Sequence, residues 1–297
     1  MEIKLDFTKA KVQGITLEAL RESITEKFPN GTAVGGIYHY ALIDRLLGWL
    51  LNAGYDAEVT DLFAANNRDK YRPGVTFDPA AAATFGENDP RAYMLRRVYC
   101  NLLLRPHDEQ SMTSCCAVSY SQRGISVAFG VHVKYCRNLS LLGAERVFSN
   151  YSLAIGMRDT QLQQSTDKCL DQICAYINTE SSVHEVILNE CLALQQTAFA
   201  DRDYQELLEM LVRARICHDS NDEAVHRKDE YALNASQINA ACERYYIKRL
   251  GAPGAITFWE ALQIFNQDLK PDRSDQPMII PQSAQLGKMF MELLSRK

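Results

Sequence analysis

Apolar residues recur at every second position through much of the N-terminal half, and at every third or fourth position beyond Met157. Ile125, Val127, Phe129, Val131, Val133 and Tyr135 share one side of an extended chain, and Ser126, Ala128, Gly130, His132, Lys134 and Cys136 share the other. Ser114–Ser121 reads as the strand before it, and the turn SQRG ends on Gly124, which tolerates the positive φ of a hairpin loop. Cys115–Cys136 is therefore predicted to be an antiparallel hairpin. Arg97–Arg105 is predicted as a strand beside it, with Val98, Cys100, Leu102 and Leu104 on one face. Arg97, Tyr99, Asn101, Leu103 and Arg105 take the other face. Tyr55–Phe63 reads as a further strand.

Helical spacing brackets this sheet. Thr16 caps a short helix carrying Leu17, Leu20, Ile24 and Phe28. Tyr38–Asn52 is predicted as a second helix, with Ile43, Leu46, Leu47, Leu50 and Leu51 inward and Gly54 as its stop. After Met157 come stripes at Leu162, Cys169, Leu170, Ile173 and Ile177, then Val186, Ile187, Cys191 and Leu194 behind a Ser182–Glu185 capping box. Further stripes follow at Tyr204, Leu207, Leu208, Leu211 and Val212, and at Ile238, Cys242, Tyr245 and Leu250. A Thr257–Glu260 capping box opens the helix of Trp259, Leu262 and Phe265, and Leu286, Met289, Phe290 and Leu293 make the last one. His218–Tyr231 reads as a solvated break and PDRSDQPMIIP as a loop. The expected fold is α+β: a small antiparallel sheet with flanking helices over residues 1–157, and a helical region over 158–297 packed on it.

Composition narrows the setting. Of 297 residues, 46% are hydrophobic and 23% charged, which suits a folded chain with its own core. A net charge of -5 argues against a surface that clamps nucleic acid everywhere, but leaves room for a local basic stripe. Nine cysteines, an odd number, several inside apolar helical patterns, fit small core residues in a reducing compartment. No apolar leader opens MEIKLDFTKAKVQ and no apolar run has membrane length, so a cytoplasmic protein without a membrane partner is expected.

The basic residues concentrate in one place. Arg68, Lys70 and Arg72 lie with Tyr71 and Phe77 in a long predicted loop over Asn66–Asn88, and Arg91, Arg96, Arg97 and Arg105 follow. An antiparallel sheet can bury one face and leave the other open. The expected binding surface is a shallow cationic floor built from Arg97, Tyr99, Arg105, His132, Lys134 and Arg137, with Arg68 and Arg72 folded over its edge. Cations beside an aromatic ring on such a floor suit a single-stranded phosphate backbone and its bases. Cys115–Cys116, Cys169 with Cys174, and Cys217–His218 with His226 lack the paired spacings of a zinc site. Cys136 and His132 lie about 13 Å apart along a strand, too far to form a nucleophile–base pair. No GxSxG, P-loop or GxGxxG occurs. No metal or cofactor is expected, and no catalytic motif is found, which leaves open a catalytic pair formed across two strands.

LRRVYCNLLL, the hairpin ending GVHVKYCRNLSLLG, and TFWEALQIFNQDLKP resemble the phage/plasmid-like family of proteins that contain domain of unknown function 932. The resemblance runs from about residue 35 to the C-terminus. It rests on a strand-end Cys-x-Asn, here Cys136 and Asn138, and on a late Trp followed by Asn, here Trp259 and Asn266. It implies a mobile-element protein without established enzymatic activity, acting in replication, recombination or conflict with host defence. Asn138 is then expected to cap the chain's exit from the strand. Two functions follow as expectations: single-stranded DNA binding, or a protein-binding module that engages a host protein or assembles with copies of itself.

Overall fold

The alternating stretches form strands and the 3.6-residue stripes form helices. The computed structural model describes residues 12–22, 33–34, 37–66, 95–105, 112–121, 124–133, 139–142, 147–150, 159–180, 184–218, 224–226, 232–251, 254–269 and 276–297. The fold is α+β. Strands β1 (Val12–Gly14), β4 (Asp56–Asn66), β5 (Leu95–Arg105), β6 (Met112–Ser121), β7 (Gly124–Val133) and β8 (Leu139–Ser140) are hydrogen-bonded in that order, and β9 (Val147–Asn150) also pairs with β7. The short β2 (Ala33–Val34) and β3 (Ile37–Tyr38) pair with each other.

The chain forms two interleaved units, and the division does not fall at residue 158. The first holds Met1–Pro106, Cys116–Val127 and Phe148–Thr179; the second holds His107–Cys115, Ala128–Val147 and Glu180–Lys297. Strands β6 and β7 contribute residues to both.

In the first unit, β4 runs antiparallel to β5 with Asp56 opposite Arg105 and Leu62 opposite Cys100, and slips register between Val59 and Asp61. Helices α1 (Leu17–Glu22) and α2 (His39–Asn52) pack together, and α2 lies on β4 and β5. Leu42, Ile43, Leu46 and Leu50 are the buried stripe of α2. Leu51, expected inward, is 65% exposed, because it sits 100° round the helix from Leu50. Gly54 stops the helix in the left-handed region, at φ +89°, while the Tyr55 N–H donates to the Leu50 carbonyl at 2.9 Å. Helix α3 (Asp159–Glu180) buries Cys169, Leu170, Ile173 and Ile177.

The second unit is built on helices α4 (His184–Gln196), α5 (Asp201–Arg213), α6 (Ala235–Gly251), α7 (Phe258–Asn266) and α8 (Gln276–Leu294). Helix α7 touches α4, α6 and α8, and α8 reaches β8. Its apolar interior combines aliphatic side chains with a cluster of aromatic rings. Phe199 meets Phe258 edge-on with centroids 5.0 Å apart, and Tyr204 stacks on Tyr245 at 4.3 Å. Thr257 and Glu260 form the expected capping box: Thr257 Oγ1 accepts from the Glu260 N–H at 3.2 Å, and Glu260 Oε2 accepts from the Thr257 N–H at 3.0 Å. Asn234 and Gln237 make a second box at the head of α6, each side chain accepting the other's N–H at 2.9 Å.

Four expectations change here. The break at His218–Tyr231 contains a small antiparallel pair, β10 (Ile216–His218) with β11 (Ala224–His226). The predicted loop before the last helix is helical from Gln276 on: α8 starts there and carries Pro281 inside it, anchored by fully buried Ile279 and Ile280. Val186 and Val212 lie beside their buried stripes, 46% and 50% exposed. Leu250 is 87% exposed, being 140° round the helix from buried Tyr245.

Gly130 of β7 and Gly287 of α8 allow close approach to the segment 139–142. A Cβ at Gly287 of α8 would overlap the Leu141 carbonyl oxygen, whereas one at Gly48 of α2 would meet nothing within 4 Å. Gly287→Ala is therefore expected to cost about 3 kcal/mol in urea unfolding. Gly48→Ala should gain about 0.5–1 kcal/mol from helix propensity. Equal stabilities for the two variants would refute the close packing.

Candidate functional site

The described residues on the second face of β7, Ser126, Ala128 and Gly130, are covered. In the first unit Tyr99 is fully buried, and its hydroxyl donates to Asn101 Oδ1 at 3.0 Å. Asn101 is 1% exposed, and its carbonyl accepts from Thr60 Oγ1 at 3.4 Å. Ser126 is equally closed off, its hydroxyl 3.0 Å from that of Ser149 on β9. In the second unit Ala128 is buried, and a Cβ at Gly130 would overlap Leu141 and approach the Ser140 carbonyl oxygen to 2.7 Å. Gly130 thus makes room for the segment 139–142 that runs past it.

At Tyr99 this corrects the expectation of an open floor; the cationic residues expected beside it have no described side chains. Tyr99 is a core residue whose one polar atom is satisfied by Asn101, so it offers no ring for a base to stack on. Arg97, Arg105 and His132 have their backbones in β5 and β7, opposite Ala65, Asp56 and Leu139 respectively. Their side chains lie outside the description. Arg68, Arg72, Lys134, Cys136, Arg137 and Asn138 lie outside the described residues altogether. The two late motif residues are in the helical unit. Trp259 is 9% exposed, and Asn266 is buried with its Oδ1 accepting from Ser283 Oγ at 3.3 Å. Both are placed to hold α7 in the interior.

Burial also governs the thiols. Cys100, Cys115, Cys116, Cys169 and Cys191 are buried, while Cys174 and Cys242 are partly exposed. Burial pushes Cys116 up to about 12. Burial, and then the neighbouring Glu190 carboxylate, push Cys191 up to about 12. Cys100 is raised further, by burial first and then by Cys116 and Asp61. Such groups stay as thiols at neutral pH and are poor nucleophiles. Among the described residues no group of three or more His, Cys, Asp or Glu side chains is placed to hold a metal ion. No described helix is long and apolar enough to cross a membrane.

Two surfaces remain. In the first unit an open hollow of about 590 Å³ has Leu17, Leu47 and Leu62 on its walls, with Glu18, Asp56 and Glu58 beside them. In the second unit the C-terminal end of α6 carries an apolar outer arc, with exposed Glu243 one turn before it on the same side. Tyr246, Ile247 and Leu250 fall within 100° of one another on a 3.6-residue helix and are 50%, 65% and 87% exposed. The helix's cations are drawn away from this arc: Arg244 pairs with Asp268 at 2.5 Å, Lys248 with Glu260 at 2.7 Å, and Arg249 with Asp201. Glu260 is partly buried, which pushes its carboxyl up. The Lys248 ammonium and the Thr257 N–H outweigh that and hold it below the usual carboxylate range. The arc could have been found in the sequence, since Ile247 and Leu250 do not fit the stripe of Ile238, Ala241 and Tyr245.

The chain matches no protein-family model, no curated protein and no solved structure.

The thiols give a prediction with a definite sign. An unfolded cysteine ionises near about 8.5, so above that pH the unfolded chain sheds protons that the folded chain keeps. The stabilisation from Cys116 and Cys191 is complete below pH ~8.5 and is lost as pH rises toward their folded values. Stability should fall between pH ~9 and 11 by on the order of 1 kcal/mol per unit for each thiol. Cys116→Ala should flatten that slope. Native-state alkylation followed by peptide mapping should label Cys174 and Cys242 before Cys100, Cys116 and Cys191. Early labelling of Cys116 would refute the burial.

Proposed function

We propose that this protein works by protein–protein binding, and that the outer arc of α6 docks a second copy of the same chain. The carrying observation is the exposure of Tyr246, Ile247 and Leu250 on a helix whose neighbouring cations are all engaged in ion pairs within the unit. Large apolar side chains exposed singly are ordinary; three on one arc, with the helix's cations held in ion pairs and Glu243 one turn before them, support a docking patch. A two-fold axis across α6 would lay Tyr246 of one copy over Leu250 of the other, so the patch can serve as its own partner. Burying Ile247 and Leu250 contributes about 1.5–3 kcal/mol each. Set against the cost of association, that supports a weak dimer with a dissociation constant on the order of micromolar or above.

The reading agrees with the self-assembling module expected of a mobile-element protein. It draws nothing from the sheet face first expected to carry binding. Sedimentation velocity over a hundredfold concentration range is expected to show a monomer–dimer equilibrium. Ile247→Asp with Leu250→Asp should abolish it while leaving the circular dichroism unchanged. A wild-type chain that stays monomeric throughout, or a variant that dimerises equally well, would refute the proposal. An electrophoretic shift with single-stranded DNA, measured at two salt concentrations, is the companion assay. A salt-sensitive shift from a strictly monomeric chain would favour nucleic-acid binding instead.

A further inference from the structure

No further inference is drawn: the strongest candidate, the open hollow beside α1, α2 and the first half of β4, rests on the carboxylates Glu18, Asp56 and Glu58 with no second feature that points to a ligand, and strand register sets Arg105 opposite Asp56.

Discussion

The helical unit depends on a backbone contact that leaves no room for side chains. Residues 139–142 run past β7 at Gly130 and past α8 at Gly287, and at both positions a β-carbon would collide with the backbone or side chain of Ser140 or Leu141. Glycine inside a strand or helix costs about 0.5–1 kcal/mol in conformational entropy, so its presence at both needs an offset. The offset is packing: Leu141 and Leu142 are 1% exposed, and Ser140 accepts from Gln263 Nε2 of α7 at 2.9 Å. One short segment therefore fixes where α7 and α8 sit against the end of the sheet. Asn266 and Ser283 join the same two helices by a buried hydrogen bond.

Cohesion beyond that contact is apolar. Phe199, Tyr204, Tyr245, Phe258, Phe265 and Phe290 pack through edge-on and stacked contacts at centroid distances of 4.3–6.4 Å. Pairs of this kind add about 0.5–1.5 kcal/mol each beyond the area they bury. The ion pairs around them are weaker supports. Lys248 and Glu260 are 40% and 38% exposed, so water screens their attraction, and an exposed pair of this type is worth at most about 1 kcal/mol. Their larger effect is positional. By tying Lys248 to α7 and Arg249 to α5, they leave Tyr246, Ile247 and Leu250 as the outer arc of α6.

Element type was legible in the sequence wherever one period ran long enough. The strands at Asp56–Asn66, Leu95–Arg105, Met112–Ser121 and Gly124–Val133, and the helices after Asp159, stand where alternation and 3.6-residue spacing put them. Thr257–Glu260 was legible because a capping box is a local interaction. What failed was non-local. Alternation on β7 told its two faces apart without telling that both are covered over residues 125–131, since Ser, Ala and Gly suit both open surface and close packing. Proline suggested a loop before the last helix, yet the burial of Ile279 and Ile280 outweighs its missing N–H at position 281. Leu250 was assigned to the core by its chemistry, while its angle on α6 points it outward. The interleaved units were beyond any linear reading, because β6 and β7 supply residues to both.

These differences bear on where function should be sought. Polar residues in a strand look like surface, but Tyr99 and Asn101 satisfy each other at 3.0 Å inside the first unit. A buried polar pair of that kind restricts how neighbouring strands can pack, because either group left alone would cost about 1–3 kcal/mol. It acts on structure and offers nothing to a ligand. On α6 the logic runs the other way. The described core holds aromatic and aliphatic side chains by the dozen, so leaving Leu250 at 87% exposure forgoes burial worth about 1.5–3 kcal/mol that its neighbours obtain. An isolated sacrifice of that size is ordinary at a surface. Three together on one arc, beside cations already held in ion pairs, are what the proposed self-docking would bury.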